Sequence, residues 1–402
     1  MFRILSLDGG GSWAILQLLT LRDRYGNVNG HEVLRKFDLV IANSGGSIVL
    51  AALAENWTLE QALSLFRDRE TRERIFSKNS FRDRFFPVDY LRLFGISIGP
   101  KYSSKRKMEA LAGLFKKVHK RQMAELPAFI GKESLKLVVC TYDALNNNAK
   151  FFRSYHNDTD DFDAIKLTQA VHGSSNAPVQ YFDFPARFKD KKSNIYYELW
   201  DGALGGFNNP VLAGIIEAYK LRVKISEVQV VSLGTGNKLM SMKDKKDFWD
   251  LKLAAQRNRR KKFAFSKFKY QLRFFTATVL NQAKTILYEP PDWSNYVAIM
   301  FLDAIGQRNS EEQLIRLSPL IHLDAHTPKA TRELIKILYK LDMDLTTDAE
   351  IDQLMACFEA WKAGAILNQP VEFKVNRDNS LVFKNGNKYY KSAMERWESW
   401  AE

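Results

Sequence analysis

Short apolar runs alternate with stretches whose apolar residues recur at three- and four-residue spacing. Arg3 to Leu7, Asp38 to Ala42, Leu135 to Thr141, Lys150 to Tyr155, Tyr196 to Trp200 and Glu227 to Leu233 predict strands. Ile15, Leu18 and Leu19, the Ala/Leu-rich segment from Ile48 to Glu55, and Thr58 to Arg74 predict helices. The last of these opens with an N-cap pair, Thr58 and Gln61. Lys166 to Val171 reads as helical, and another helix follows Asn209-Pro210, where proline suits the first helical position. Strands alternating with helices predict a mostly parallel sheet covered on both faces. Beyond Asp292 the pattern is mainly helical, over Val297 to Ile305, Lys329 to Leu341 and Ile351 to Ala363. The tail, Val371 to Val375 and Leu381 to Phe383, resembles a hairpin.

Three of the strands end in polar or glycine-rich turns: Asp8-Gly9-Gly10-Gly11, Asn43-Ser44-Gly45-Gly46 and Asp201-Gly202-Ala203. Ligands of an open parallel sheet bind outside the carboxyl ends of its strands, so the three turns point to one shared site. A serine in a tight turn between strand and helix has the setting of a nucleophile elbow. Small neighbours such as Gly46 are needed there because strand and helix pass close together. Glycine-flanked serines also occur in ordinary turns, so Ser44 alone decides nothing. The glycine run bares backbone N–H groups that suit a phosphate or a developing oxyanion. No G-K-[ST] follows it, which weakens the phosphate-loop reading.

Acyl transfer from an ester needs a nucleophile, a base and donors aimed at the tetrahedral oxyanion. Ser44 fits the first role and the Gly9, Gly10 and Gly11 turn fits the third. No histidine lies in a suitable strand-end turn, but Asp201 does, with Gly202 leaving space around its carboxylate. Asp8 reads as an anchor that fixes the glycine loop through backbone N–H groups. An aspartate of ordinary pKa, about 3.9, is a weak base toward a hydroxyl. A closed, apolar site would raise that pKa and make the dyad workable.

In this order, the three turns resemble those of the patatin-like phospholipases. Ser174-Ser175-Asn176-Ala177-Pro178 with Tyr181-Phe182, Asn208-Asn209-Pro210 and Ser232-Leu233-Gly234-Thr235-Gly236 resemble further segments of that family. The likeness runs from Phe2 to about Gly236, and more loosely to about Leu341. It implies a patatin-like three-layer α/β fold: a mostly parallel central sheet covered by helices, plus a mainly helical C-terminal part. It also implies a lipid acyl hydrolase of phospholipase A type, using a Ser44–Asp201 dyad with no metal and no cofactor. Some bacterial members of the family are switched on by cyclic nucleotide signals in phage defence, so a cyclic oligonucleotide activator is a further expectation. The chain departs from the family at Trp13 and Ala14, where DGGGxRG has arginine and glycine, and at Ala42, where the elbow usually has glycine.

The net charge of +14 favours anionic partners without choosing among them. A basic aromatic stretch at about 250–285 suits an anionic membrane, nucleic-acid stacking or simply a helix whose phenylalanines face the core. Ser77 to Gly99, aromatic and mixed in charge, reads as a cover over the site. The basic run Lys101 to Arg121 reads as a solvated helix face. Two cysteines are too few for a disulfide scaffold, and the six histidines show no metal-ligand spacing. No stretch of about 18 apolar residues spans a membrane, and the N-terminus lacks a signal-peptide layout. The expected location is therefore the cytoplasm, with action at the inner membrane surface. The expected domains are 1–341, catalytic, and 342–402, a helical and hairpin extension. The expected partners are a phospholipid surface as substrate and a homo-oligomeric copy, with no stable nucleic-acid complex. Two other classes stay open: a catalytically silent lipid- or nucleotide-binding module, and a nucleic-acid-binding protein.

Overall fold

Successive residues of a strand face opposite ways, and here both faces are covered, which is why the strands read as unbroken apolar runs. The computed structural model describes residues 1–78, 100–155, 165–178, 181–190, 194–239, 292–306, 313–323, 327–376 and 380–400. Its strands, in chain order, begin with β1 (Phe2–Leu7), β2 (Leu39–Asn43), β3 (Lys136–Asp143), β4 (Asn148–Arg153) and β5 (Ala186–Lys189). They continue with β6 (Tyr196–Asp201), β7 (Val228–Leu233), β8 (Asn237–Lys238) and β9 (Leu314–Leu317). The central sheet has the order β5-β6-β3-β2-β1-β7-β9, with β4 also paired to β3. Strands β3, β2, β1, β7 and β9 are mutually parallel, while β4 and β6 run antiparallel to β3 and β5 runs antiparallel to β6.

Leu5, Leu7, Val40, Ala42, Val139 and Leu233 face one layer of helices, which includes Ile15–Tyr25 and Ser44–Ala54. Their neighbours in sequence, Ile4, Leu39, Ile41, Val138 and Val230, face the helices Val211–Lys220 and Asp292–Gly306. The three-layer α/β architecture follows from that alternation. The first layer extends to the end of the described chain. Helix Asp348–Lys362 buries Phe358 and Trp361 in it, and Tyr390 of helix Tyr390–Glu398 packs 4.6 Å from the Trp361 ring.

Local expectations hold for β1, β2, β3, β4, β6, β7 and the terminal hairpin, Glu372–Val375 with Leu381–Asn385. Three differ. The helix expected from Thr58 to Arg74 is two, Leu59–Arg67 and Arg69–Ile75, because the Asp68 side chain accepts the Thr71 N–H at 2.8 Å and caps a new start. Strand β9 lies within the part expected to be mainly helical, and it joins the sheet edge beside β7. Helix Tyr390–Glu398 follows the hairpin. The cover expected over Ser77 to Gly99 and the basic aromatic stretch at about 250–285 fall, apart from Ser77 and Lys78 at the start of the first, outside the described residues. Among the described residues no helix is long and apolar enough to cross a membrane.

Candidate active site

The elbow begins where β2 ends. Asn43 is the last extended residue, and Ser44 turns at φ +47°, a left-handed conformation that costs a non-glycine residue about 1–2 kcal/mol. The helix Ser44–Ala54 starts there, four residues before the apolar periodicity becomes visible in the sequence. Close passage explains the two glycines. A Cβ on Gly45 would lie 2.4 Å from the Gly11 carbonyl oxygen, and one on Gly46 would lie 2.5 Å from that of Leu7. The Gly46 N–H donates to the Asp8 carbonyl at 3.1 Å, and the Ser44 N–H donates to Ser174 Oγ at 2.8 Å. Both bonds hold the turn against its neighbours.

Asp201 reaches the same point from the opposite direction. On β3, Cys140 pairs with Asn43 while the next residue, Thr141, pairs with Asp201. Thus β2, parallel to β3, and β6, antiparallel to it, end head to head against consecutive residues of one strand. That register brings two residues 157 positions apart into one turn-to-turn contact. The Ser44 hydroxyl lies close enough to the Asp201 carboxylate to favour its ionised form. Asn43 Nδ2 and the Ala203 N–H donate to Asp201 Oδ1 at 3.1 and 2.9 Å. A Cβ on Gly202 would lie 2.4 Å from Asn43 Oδ1, so a larger residue there would displace the Asn43 side chain that bonds Asp201.

Burial is the largest influence on the Asp201 carboxyl and raises its pKa. The nearby Ser44 hydroxyl, the bonds from Ala203 and Asn43 and the charge of Lys107 act the other way. The net direction suits a general base, since it moves the carboxylate toward the operating pH. A base works in its ionised form, so any hydrolysis that depends on Asp201 falls as pH drops through this raised pKa. The acid limb of kcat/KM is therefore expected above the ordinary aspartate value of 3.8. A profile over roughly pH 4 to 9 checks it, and a limb at the ordinary value would contradict the buried-base geometry.

The glycine turn lies across the elbow, with a Gly9 Cβ position 3.1 Å from Ser44 Cβ. Its three amides are not equivalent. The Gly9 N–H donates to the Asn208 carbonyl at 2.7 Å, so it is not available to an oxyanion in this arrangement. The Gly10 and Gly11 N–H groups have no hydrogen-bond partner among the described residues. Gly10 and Gly11 adopt φ +145° and +59°, and Thr235 Oγ1 donates to the Gly9 carbonyl at 2.5 Å. Asp8 is buried, and its partner is not the backbone N–H groups expected. Asp8 Oδ2 accepts from Arg316 Nη2 at 2.6 Å, while Arg316 Nη1 donates to Ser232 Oγ at 2.7 Å. Burial outweighs this guanidinium and raises the Asp8 carboxyl to about 6.

Trp13, at the place of the family's arginine, is a core residue. Its ring packs 3.2 Å from the Cβ position of Gly236, and its Nε1–H donates to the Asp342 carbonyl at 3.0 Å. The segment after helix Lys329–Lys340 thereby docks on the glycine turn, where the Ser12 N–H donates to the Met343 carbonyl at 2.8 Å. A narrow cleft opens beside Ser44, lined mainly by apolar side chains, among them Ile48, Ile75, Phe76, Phe182 and Met343. Lys107 also lines it. The residue belongs to the run read as a solvated face, yet it is buried, and its Nζ donates to the His172 carbonyl at 3.1 Å and lies 4.0 Å from the Phe182 ring centroid.

A family model described as patatin-like phospholipase matches residues 5–215. That span carries Asp8, Ser44 and Asp201 and stops before Arg316 and Met343. Among solved structures, the crystal structure of VipD from Legionella pneumophila is similar at 14% identity, covering 89% of this chain and 67% of that one, with a TM-score of 0.34. No curated protein matches the chain.

Proposed function

The chain belongs to the patatin-like phospholipase family, a family of lipid acyl hydrolases, and from that membership we propose that it cleaves phospholipid acyl esters through a Ser44–Asp201 dyad. The observation that carries the reading is the strained elbow serine set against a buried carboxylate, beside two glycine amides that have no hydrogen-bond partner among the described residues. Asp201 takes the Ser44 hydroxyl proton as Oγ attacks the ester carbonyl. The Gly10 and Gly11 N–H groups receive the oxyanion. Collapse of the tetrahedral intermediate expels the alcohol oxygen of the lysophospholipid, which takes the proton back from Asp201. Water, deprotonated by the same carboxylate, then attacks the acyl carbonyl, and Ser44 Oγ departs with that proton from Asp201 as the fatty acid is released. What supports an acyl chain as the group presented to Ser44 is the apolar lining of the cleft beside it.

The test is release of free fatty acid and lysophospholipid from mixed bacterial phospholipid vesicles. Equimolar appearance of the two supports a phospholipase A reaction, and release of a phosphorylated head group instead would overturn it. We extend the proposal to a cytoplasmic enzyme working at the inner membrane surface and switched on by a cyclic oligonucleotide in antiphage defence. What supports the switch is the +14 charge, which suits an anionic activator. Full activity without added cyclic di- or trinucleotides would remove the switch and leave the hydrolase.

A further inference from the structure

Two helices on the sheet face opposite the elbow helix turn large apolar side chains to solvent. Asp292–Gly306 exposes Trp293 (64%), Tyr296 (41%) and Met300 (50%), while Ala298, Ile299 and Leu302 of the same helix are buried in the core. Positions 293, 296 and 300 share one helical face. The Trp293 and Tyr296 rings stack, with centroids 6.0 Å apart and planes inclined by 28°. Tyr219, exposed on Val211–Lys220, meets Phe301 edge-on at 6.0 Å and joins the two helices into one patch. The aromatic end of this patch belongs to the catalytic edge of the sheet. Asn295, between the two rings in sequence, accepts at Oδ1 from Asn209 Nδ2 at 2.8 Å. Asn209 follows Asn208, whose carbonyl holds the Gly9 N–H.

We propose that Trp293, Tyr296 and Met300 form a lipid-docking surface that seats the catalytic edge on a phospholipid bilayer. Trp and Tyr rings settle at the headgroup boundary, with the apolar body inward and the N–H or O–H toward water, and Met300 adds buried apolar area. The +14 charge adds long-range attraction to anionic leaflets. A lipid acyl hydrolase must approach such a surface, and these rings flank the residue tied to its glycine turn. The proposal rests on the hydrolase reading for its purpose, though not for its test.

The experiment compares the full chain with the double variant Trp293→Ser/Tyr296→Ser. The probes are co-sedimentation with phosphatidylethanolamine/phosphatidylglycerol vesicles, fatty-acid release from them, and cleavage of a water-soluble short-chain ester. Vesicle binding and vesicle hydrolysis are expected to fall roughly tenfold or more, with soluble-ester cleavage unchanged. Unchanged vesicle binding would overturn the docking surface, as would an equal loss on the soluble ester. So would a dimer in the wild type that the variant dissolves while still binding vesicles, since a second copy would then own the patch. A wild type that cleaves neither substrate, with or without added cyclic di- and trinucleotides, refutes the hydrolase reading alone, because sedimentation still decides the docking.

Discussion

Ser44→Ala is expected to lower fatty-acid release by roughly 10⁴-fold or more, because among the described residues no other hydroxyl shares the elbow geometry. Ser12 Oγ accepts the Leu345 N–H, and Ser47 Oγ donates to the Ser44 carbonyl at 2.6 Å. Both are tied to backbone, so neither substitutes for Ser44. Asp201→Asn is expected to cost about 10³- to 10⁴-fold with the fold intact. An asparagine keeps an oxygen for the Ala203 N–H and fills the same volume, but it cannot take the Ser44 proton. Because nucleophile and base act as one unit, the double variant should be little worse than Ser44→Ala alone. Multiplied losses in the double variant would mean that the two residues serve separate steps and would dismantle the dyad. The same vesicle assay reads all three variants, with circular dichroism to confirm folding.

What the sequence made legible was whatever is written locally. The elbow needs Ser44, Gly45 and Gly46 in adjacent places, the glycine turn is a run of three, and Asp201 closes an apolar strand. Each leaves a short pattern at a strand end, and the parallel-sheet rule then brings those ends together. The unreadable parts depend on long-range partners. Nothing near Gly9 shows that the Asn208 carbonyl takes its amide, which leaves Gly10 and Gly11 as the donors without partners among the described residues. Lys107 sits in a run of basic residues whose charge pattern is that of a solvated helix, and only tertiary packing buries it. Trp13 stands where the family pattern has an arginine, so the sequence alone places no charge beside the glycine turn. A charge is present there all the same, 308 positions downstream of Asp8, on the strand the helical pattern had hidden.

That guanidinium sets the second large effect. Arg316→Ala is expected to destabilise the fold by about 3–5 kcal/mol at neutral pH, the cost of leaving one member of a buried ion pair alone. Asp8 Oδ1 has no hydrogen-bond partner among the described residues, so the contact from Arg316 to Oδ2 is what offsets the buried charge. Asp8 is also coupled to the site, since its own carbonyl accepts the Gly46 N–H of the elbow helix. The pH dependence separates this account from simple loss of packing. In the wild type the Asp8 carboxyl sits at about 6, raised from 3.8. A carboxyl raised on folding favours the folded state most below its unfolded value and loses that contribution as pH climbs through its folded one. Removing Arg316 raises the folded value further, so below the wild-type value both proteins carry a neutral Asp8 and differ least. The gap in urea midpoint between wild type and Arg316→Ala should therefore widen as pH rises through about 6. Adding Asp8→Asn to Arg316→Met should recover much of the loss, because a neutral pair leaves no buried charge. A gap that stays constant with pH, or a double variant as unstable as Arg316→Ala, would show that Arg316 contributes volume and not charge to the glycine turn.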